Sequence, residues 1–264
     1  ESTLFIEYEL PVIDAQMCLR DLEGDTEIRF SETFVKQGDI IQLFEVILSL
    51  KFIQKGYALI HTGCLNYDGE GALITALPDT GKSSTCLSLL NGEDIRFLSD
   101  DMAIVSRDGD VYSYPRRVNI SPYTLTGEVM SRSDDLVSNV KQRLANSRLE
   151  ILFGTILSIS MGDRKEVPRE YIDDRSHVEH LFVISGGADS TKEIGSDEEK
   201  ARKILVNTLE LLDPFKIYTL NFYYHLFDFE IFDLLEKQRE IVTNAVSGVT
   251  CVEVKSSDVK KYPE

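Results

Sequence analysis

The chain has 264 residues, 42% of them hydrophobic and 28% charged, which suits one large folded domain or two small ones. Its 45 acidic and 28 basic residues give a formal net charge of −17, and such a field repels nucleic acids and anionic lipid surfaces. We therefore expect neither a nucleic acid nor a membrane among its partners. No secretory signal is visible in the sequence, so we expect a cytoplasmic protein.

The first 55 residues predict a β-rich portion that ends in one helix. Three segments alternate apolar and polar residues and predict strands, at 4–10, 17–22 and 26–30. The spacing then becomes helical over 39–53, with Asp39 as the N-cap and Gly56 as the stop. We expect this portion to belong to the same compact unit as the rest of the chain.

Strand patterns return at Tyr57 and flank a predicted phosphate-binding turn. Strands are predicted at 57–67 and 72–77, joined by a hairpin turn at Asp68-Gly-Glu-Gly. A helix is predicted from Lys82 to about residue 90. Three short strands follow, at 96–98, 102–106 and 111–114, with Asp108-Gly109 as the turn between the last two.

The second half of the chain carries weaker signals. Residues 122–148 have a polar, helical character, and 178–185 predicts a strand. Helices are predicted at 197–212 and 222–245, with a last strand at 249–254, and the charged stretch 189–203 predicts a solvated loop and helix face. Together the segments predict an α/β protein. Four scattered cysteines without a CxxC pair predict reduced thiols rather than disulfides or zinc.

The turn after the second strand matches the Walker A phosphate loop. Its residues are Ala76-Leu-Pro-Asp-Thr-Gly-Lys-Ser, with Ala in place of the first Gly of G-x-x-x-x-G-K-[ST]. In such a loop backbone N–H groups and a helix N-terminus face the phosphates, Lys82 reaches the β- and γ-phosphates, and Ser83 binds Mg²⁺. The predicted contacts to the nucleotide are Pro78, Asp79, Thr80, Gly81, Lys82, Ser83 and Ser84.

Two adjacent acids, Asp100 and Asp101, end the next predicted strand. Mg²⁺ prefers oxygen ligands, and one carboxylate of such a pair can bind the metal while the other accepts a proton from an attacking hydroxyl. The same residues are common in turns and at helix N-caps, so this reading depends on the phosphate loop beside them.

Two stretches together resemble one family. They are residues 61–83, HTGCLNYDGEGALITALPDTGKS, and residues 98–101, LSDD. They look like the catalytic core of HPr kinase/phosphorylase, whose P-loop fold with mixed β-sheets is shared with phosphoenolpyruvate carboxykinase. The resemblance spans about residues 57–106. It implies a P-loop kinase-like catalytic domain at 56–264, with ATP and Mg²⁺ as cofactors.

The resemblance also assigns roles to residues. It implies Lys82 and Ser83 on phosphate and Mg²⁺, Asp100 and Asp101 as metal ligand and catalytic base, and His61 close to the transferred phosphate. The roles of the two acids stay interchangeable at this point, and a lone His on an apolar strand is also common as a structural hydrogen-bonding residue. The remaining histidines, His177, His180 and His225, are interpreted as structural or surface residues.

One signature of the family's regulatory kinases, Glu-x-Arg-Gly, does not occur in this chain. The sequence has Tyr114-Pro-Arg-Arg-Val-Asn-Ile-Ser instead, where Arg116 and Arg117 suit a clamp on the γ-phosphate or ordinary surface charges. HPr as substrate and a phosphorylase activity are therefore open.

Three functions compete. The first is a kinase that transfers the γ-phosphoryl group of ATP to a hydroxyl of a small molecule or of a protein or peptide serine. The second is a non-catalytic nucleotide-binding regulatory module, and the third is an enzyme like a carboxykinase. The sequence leaves open the acceptor, GTP or pyrophosphate as donor, and the oligomeric state, a homo-oligomer included.

Overall fold

The computed structural model divides into two compact units, Glu1–Ala58 with Leu209–Glu240, and Leu59–Thr208 with Ile241–Glu264. The structure describes residues 2–10, 13–33, 40–77, 80–90, 94–114, 118–120, 163–165, 167–208, 221, 223–227, 229–258 and 262. The assignment of residues 56–264 to a catalytic domain stays a prediction.

The first unit contains a three-stranded antiparallel sheet and a helix. Its elements are β1 (Thr3–Leu10), β2 (Ile13–Arg20), β3 (Glu27–Phe30) and α1 (Ile40–Gln54). Alternation buries one face of the sheet, for example Leu4, Met17 and Leu19, against apolar residues of α1 and of the segment around Tyr223. Tyr223 is fully buried there, and its hydroxyl accepts the Leu22 N–H at 2.8 Å and bonds the Ser2 hydroxyl.

The second unit is built on a mixed nine-stranded sheet. Its strands are β4 (Tyr57–Ile60), β5 (Gly63–Tyr67), β6 (Glu70–Ala76), β7 (Ile95–Ser99), β8 (Ala103–Ser106), β9 (Asp110–Tyr112), β12 (Arg175–Gly186), β13 (Ser190–Glu193) and β14 (Thr250–Ser256). This unit also has a two-stranded pair of β10 (Val118–Ile120) and β11 (Asp163–Lys165), a short 3-10 helix (Arg169–Tyr171), and the helices α2 (Lys82–Leu89) and α3 (Asp197–Thr208). A fourth helix, α4 (Ile231–Ala245), belongs to the first unit as far as Glu240 and to the second unit from Ile241.

The longest strand, β12, organises this sheet. It pairs in parallel with β6 and β14 and antiparallel with β9, while β5 lies antiparallel between β6 and β7. Apolar residues of β5, β6, β7 and β12 are buried against α2, including Leu65, Ile74, Phe97 and Ile184. The ends of β6 and β7 that lead into the predicted phosphate loop and the acid pair are therefore held by a packed core.

Several turn predictions are confirmed. Asp68 and Gly69 have φ values of 49° and 92° and join β5 to β6, as a two-residue hairpin of this chemistry requires. Gly109, at φ 86°, forms the turn before β9, and Gly56, at φ 88°, ends α1. Helices at Lys82–Leu89 and Asp197–Thr208 begin where the sequence placed them.

Three predictions are corrected. The predicted strand 57–67 is two strands, because the chain turns at His61 and Thr62, where the Thr62 N–H bonds the Ile60 carbonyl at 3.1 Å. The predicted helix 222–245 is interrupted at residues 229–230, since Phe229 is buried in the core of the first unit. The charged stretch 189–203 was predicted as a solvated loop and helix face, and its loop part contains a strand, β13, before the helix at Asp197.

Other predictions lie outside the described residues. They are the N-cap at Asp39, the polar helical stretch 122–148, and the end of the helix predicted at 197–212. Of the four cysteines, Cys64, Cys86 and Cys251 are buried, and all four are free. Within the described residues, no helix is both long and apolar enough to cross a membrane.

Candidate functional site

The predicted phosphate loop connects β6 to α2. β6 ends at Ala76 and α2 begins at Lys82, so strand, loop and helix follow in the order that a phosphate loop requires. Gly81 has a φ of 100°, a left-handed conformation that favours glycine, and its carbonyl accepts the N–H and the hydroxyl of Thr85 at 2.9 and 3.0 Å. These bonds fix the start of the helix.

Asp100 is buried next to the start of α2. Burial raises the pKa of its carboxyl to about 6, opposed by the charge of Lys82 and by a hydrogen bond from Ser83. Its second oxygen, Oδ1, is buried and has no hydrogen-bond partner among the described residues. A buried carboxylate with one unsatisfied oxygen beside a serine hydroxyl is a suitable ligand for a hard cation.

Asp101 is the exposed member of the acid pair. Its side chain is 47% exposed, whereas those of His61 and Lys82 are 12% and 10% exposed. The Oδ1 atom of Asp101 lies 3.0 Å from His61 Nε2 and 3.9 Å from Lys82 Nζ. A carboxylate that is open to solvent and flanked by two nitrogen groups is well placed to meet an incoming hydroxyl.

The opposite side of the His61 ring faces α3. His61 Nδ1 lies 3.2 Å from the backbone carbonyl of Asn207, and the His61 backbone N–H donates to Thr208 Oγ1 at 3.1 Å. A carbonyl and a carboxylate both accept hydrogen bonds, so both ring contacts are satisfied when both ring nitrogens carry a hydrogen.

Gly63 lets β5 approach α2 closely. A Cβ at this position would overlap Cys86 Sγ and would stand 3.4 Å from the Asp100 carbonyl oxygen. Burial raises the pKa of the Cys86 thiol well above its usual range. Because the thiolate is the reactive form, Cys86 fills space in the core and does not act as a nucleophile. The absence of a side chain at Gly63 therefore allows His61, the two acids and Lys82 to lie close together.

The structure brings five predicted site residues together, at the ends of β6 and β7 and the start of α2. They are His61, Lys82, Ser83, Asp100 and Asp101. Thr80 and Gly81 are half-buried in the loop, and Ser84 is buried on α2. Pro78, Asp79, Arg116 and Arg117 lie outside the described residues.

The remaining histidines make local contacts. His177 Nδ1 lies 3.4 Å from Asp110 Oδ1, His180 Nε2 lies 3.1 Å from Glu70 Oε2, and the His225 ring packs edge-on against Tyr224. Sequence reasoning missed Asn207 and Thr208, because nothing in the pattern of a helix indicates which residues will meet a distant strand. A glycine inside a strand pattern often marks a close backbone approach, so Gly63 could have been singled out from the sequence.

Asp100 and Ser83 supply oxygen atoms of the kind that bind a cation shared with phosphate. Within the described ranges, no group of three or more His, Cys, Asp and Glu side chains is arranged to hold a metal ion. Mg²⁺ is commonly bound by one or two carboxylates together with substrate phosphates and water. Asp100 with Ser83 matches that pattern.

Comparisons with known proteins give limited guidance. No family model matches the chain, and no curated protein does. Among solved structures, the chain is similar to the Hpr(Ser) kinase/phosphatase from Coxiella burnetii, with 10% identity, coverage of 75% of this chain and 83% of that chain, and a TM-score of 0.30. A TM-score this low supports neither a shared fold family nor a shared activity.

Proposed function

We propose that this protein is an ATP- and Mg²⁺-dependent kinase that transfers the γ-phosphoryl group to a hydroxyl of a small molecule or of a protein or peptide serine. The observation that carries the proposal is the meeting of Lys82, His61 and Asp101 beside the loop between β6 and α2, with contacts of 3.0 and 3.9 Å to one carboxylate oxygen. Phosphoryl transfer depends on positioning and charge neutralisation, and this set supplies a fixed cation, a reachable base and an orienting group.

The two acids take different roles in this proposal because their surroundings differ. Asp100 is buried and bonds Ser83, and its Oδ1 has no partner in the part of the chain that the structure describes. Asp100 and Ser83 would therefore hold Mg²⁺, which supplies charge neutralisation at the phosphates. Asp101 is half exposed, so it accepts the proton of the acceptor hydroxyl while the new oxygen–phosphorus bond forms and the bond to the β-phosphate oxygen breaks.

Lys82 and His61 complete the arrangement. Lys82 is nearly buried at the first position of α2, where its ammonium group and the backbone N–H groups of Thr80 and Gly81 would face the phosphates. His61 touches Asp101 directly and so fixes the orientation of the base. Arg117 remains a proposed clamp on the γ-phosphate.

We also propose that the catalytic domain belongs to the fold group of HPr kinase and phosphoenolpyruvate carboxykinase. The support is the motif run of residues 61–83 with Asp100 and Asp101, together with a mixed α/β unit in which a phosphate-type loop follows β6. A structure of the protein with a bound nucleotide would test this assignment directly.

The kinase proposal is tested by incubating the purified protein with Mg²⁺ and γ-labelled ATP in the presence of pooled metabolites and peptides. Lys82→Ala is the inactive control, and Lys192→Ala is the matched control, because Lys192 is exposed on β13. We expect label on one acceptor with the unmodified protein and with Lys192→Ala, and none with Lys82→Ala.

Two other outcomes are informative. Mg²⁺-dependent ATP binding without transfer to any acceptor would contradict the kinase and favour a regulatory nucleotide-binding module. Equal labelling with Lys82→Ala would show that the label does not arise at this site.

A further inference from the structure

We propose that Asn207 and Thr208, the last two residues of α3, are positioning residues that hold His61 in the orientation that meets Asp101. The catalytic consequence rests on the proposed kinase activity, but the orientation itself can be measured without it. Neither residue belongs to the phosphate loop or the acid pair.

Thr208 fixes the backbone of His61. Its hydroxyl donates to the Ile204 carbonyl at 2.9 Å, so the hydroxyl hydrogen is committed within α3. The oxygen lone pairs are then available to the His61 N–H, which lies at 3.1 Å. His61 stands where the chain turns between β4 and β5, outside any strand ladder. A side-chain acceptor is therefore what holds its backbone N–H.

Asn207 fixes the ring of His61 and the strand of the phosphate loop at once. Its carbonyl faces His61 Nδ1 at 3.2 Å, and its side-chain Nδ2 donates to Thr75 Oγ1 at 2.7 Å. Asn207 and Thr75 are both buried, at 7% and 0% exposure, so this bond is shielded from water. Thr75 is the second-last residue of β6, directly before the loop.

These contacts determine which ring nitrogen of His61 reaches Asp101. A backbone carbonyl can only accept a hydrogen bond, so the Asn207 contact keeps a proton on Nδ1 and points Nε2 at Asp101. A ring held at one nitrogen and acting at the other is the usual arrangement for an orienting histidine. α3 therefore sets the geometry of the base through one intermediate residue.

The test compares variants at Thr208 and Thr75 in the full-length protein. Thr208→Val removes the acceptor for the His61 N–H at nearly constant shape, and Thr208→Ser restores it. Thr75→Val and Thr75→Ser form a second pair that acts on the other side of Asn207. The control is Ser176→Ala, a buried serine that bonds Gly69 and Asn66 near the start of β6, away from the loop.

The first readout is the protonation of His61 Nδ1 in the ¹⁵N–¹H spectrum of histidine-labelled protein, with His61→Gln to assign the signal. We expect a protonated Nδ1 in the unmodified protein, in both serine variants and in Ser176→Ala, and loss of this single defined signal in the two valine variants. An unprotonated Nδ1 in the unmodified protein, or an unchanged signal in both valine variants, would overturn the proposal.

The second readout is turnover with the acceptor that the labelling experiment identifies. Displacing a catalytic group by about 1 Å can cost about 100-fold, so we expect kcat to fall about 10- to 100-fold in the valine variants with little change in the KM for ATP. A purely structural role would lower the thermal midpoint and leave kcat of the folded protein unchanged, which would contradict positioning. If no acceptor is ever labelled, the kinase proposal fails while the spectrum still decides the role of α3.

Discussion

His61 Nε2 lies 3.0 Å from Asp101 Oδ1, although the two residues come from the turn after β4 and from the segment after β7. Asp101 is the more exposed of the two, so the pair presents its carboxylate toward solvent and its imidazole toward the protein. The environments of the two acids therefore differ, because Asp100 points into the protein and bonds Ser83.

Replacing Asp101 with asparagine should strongly reduce turnover while keeping nucleotide binding. The amide cannot accept the hydroxyl proton, and general-base catalysis is typically worth about 100- to 10,000-fold in rate. We expect kcat to fall within that range and the dissociation constant for ATP to change little. The measurements are steady-state transfer and equilibrium binding. Unchanged turnover would assign the base elsewhere.

Replacing Asp100 with asparagine should stabilise the protein at neutral pH in metal-free buffer. The pKa of Asp100 is raised from 3.8 to about 6, so between these values the folded state binds more protons than the unfolded state, and stability falls as pH rises through this window. The penalty is complete above about pH 6 and amounts to about 3 kcal/mol. An uncharged amide avoids it.

Chemical denaturation at pH 4 and pH 8 checks this prediction. The gain in the free energy of unfolding on Asp100→Asn should be present at pH 8 and largely absent at pH 4. Added Mg²⁺ should raise the thermal midpoint of the unmodified protein at pH 8 and affect the variant less. Equal stabilisation at both pH values would contradict the burial of a charged carboxylate at Asp100.

Adding a methyl group at Gly63 should destabilise the second unit. The new Cβ would overlap Cys86 Sγ on α2, and overpacking of this kind typically costs about 1 to 3 kcal/mol. Cys86→Ala removes the sulfur, so the double variant should lose less stability than the two single variants summed. Gly186→Ala is the control, because nothing lies within 4 Å of a Cβ there. Thermal unfolding of the four variants measures the coupling, and strict additivity would argue against the close contact.

Removing the Tyr223 hydroxyl should weaken the first unit. Tyr223→Phe leaves the buried Leu22 N–H without its acceptor, and an unsatisfied buried group costs about 1 to 3 kcal/mol. Urea denaturation should show a lower free energy of unfolding, whereas Tyr67→Phe, at a residue 57% exposed, should show little change. A neutral Tyr223→Phe would mean that water replaces the lost acceptor.

The sequence correctly predicted turns and helix starts that depend on only a few neighbouring residues. The Asp68-Gly69 turn and the start of α2 at Lys82 follow from residues that few other conformations accommodate. The break at His61 was missed because an apolar, β-favouring stretch looks continuous, and only pairing with different neighbours separates β4 from β5.

The residues of the candidate site also differ in how far the sequence could predict them. Lys82, Ser83 and the acid pair have recognisable types and spacing, and His61 enters through the family resemblance. Asn207 and Thr75 have no such signal, since a buried amide between a helix and a strand is defined by tertiary packing. The sequence therefore predicts the proposed catalytic groups better than the residues proposed to orient them.

The parallel pairing of β6 with β12 has a consequence for how the protein is made. No hairpin can form this ladder, since its strands are distant in sequence, and β12 also requires β14 on its other side. A growing chain on the ribosome can fold the β5–β6 hairpin early, but the edge of β6 stays uncovered until Arg175–Gly186 has been translated. Slow synthesis or truncation before that point should favour chaperone capture and aggregation through the exposed strand.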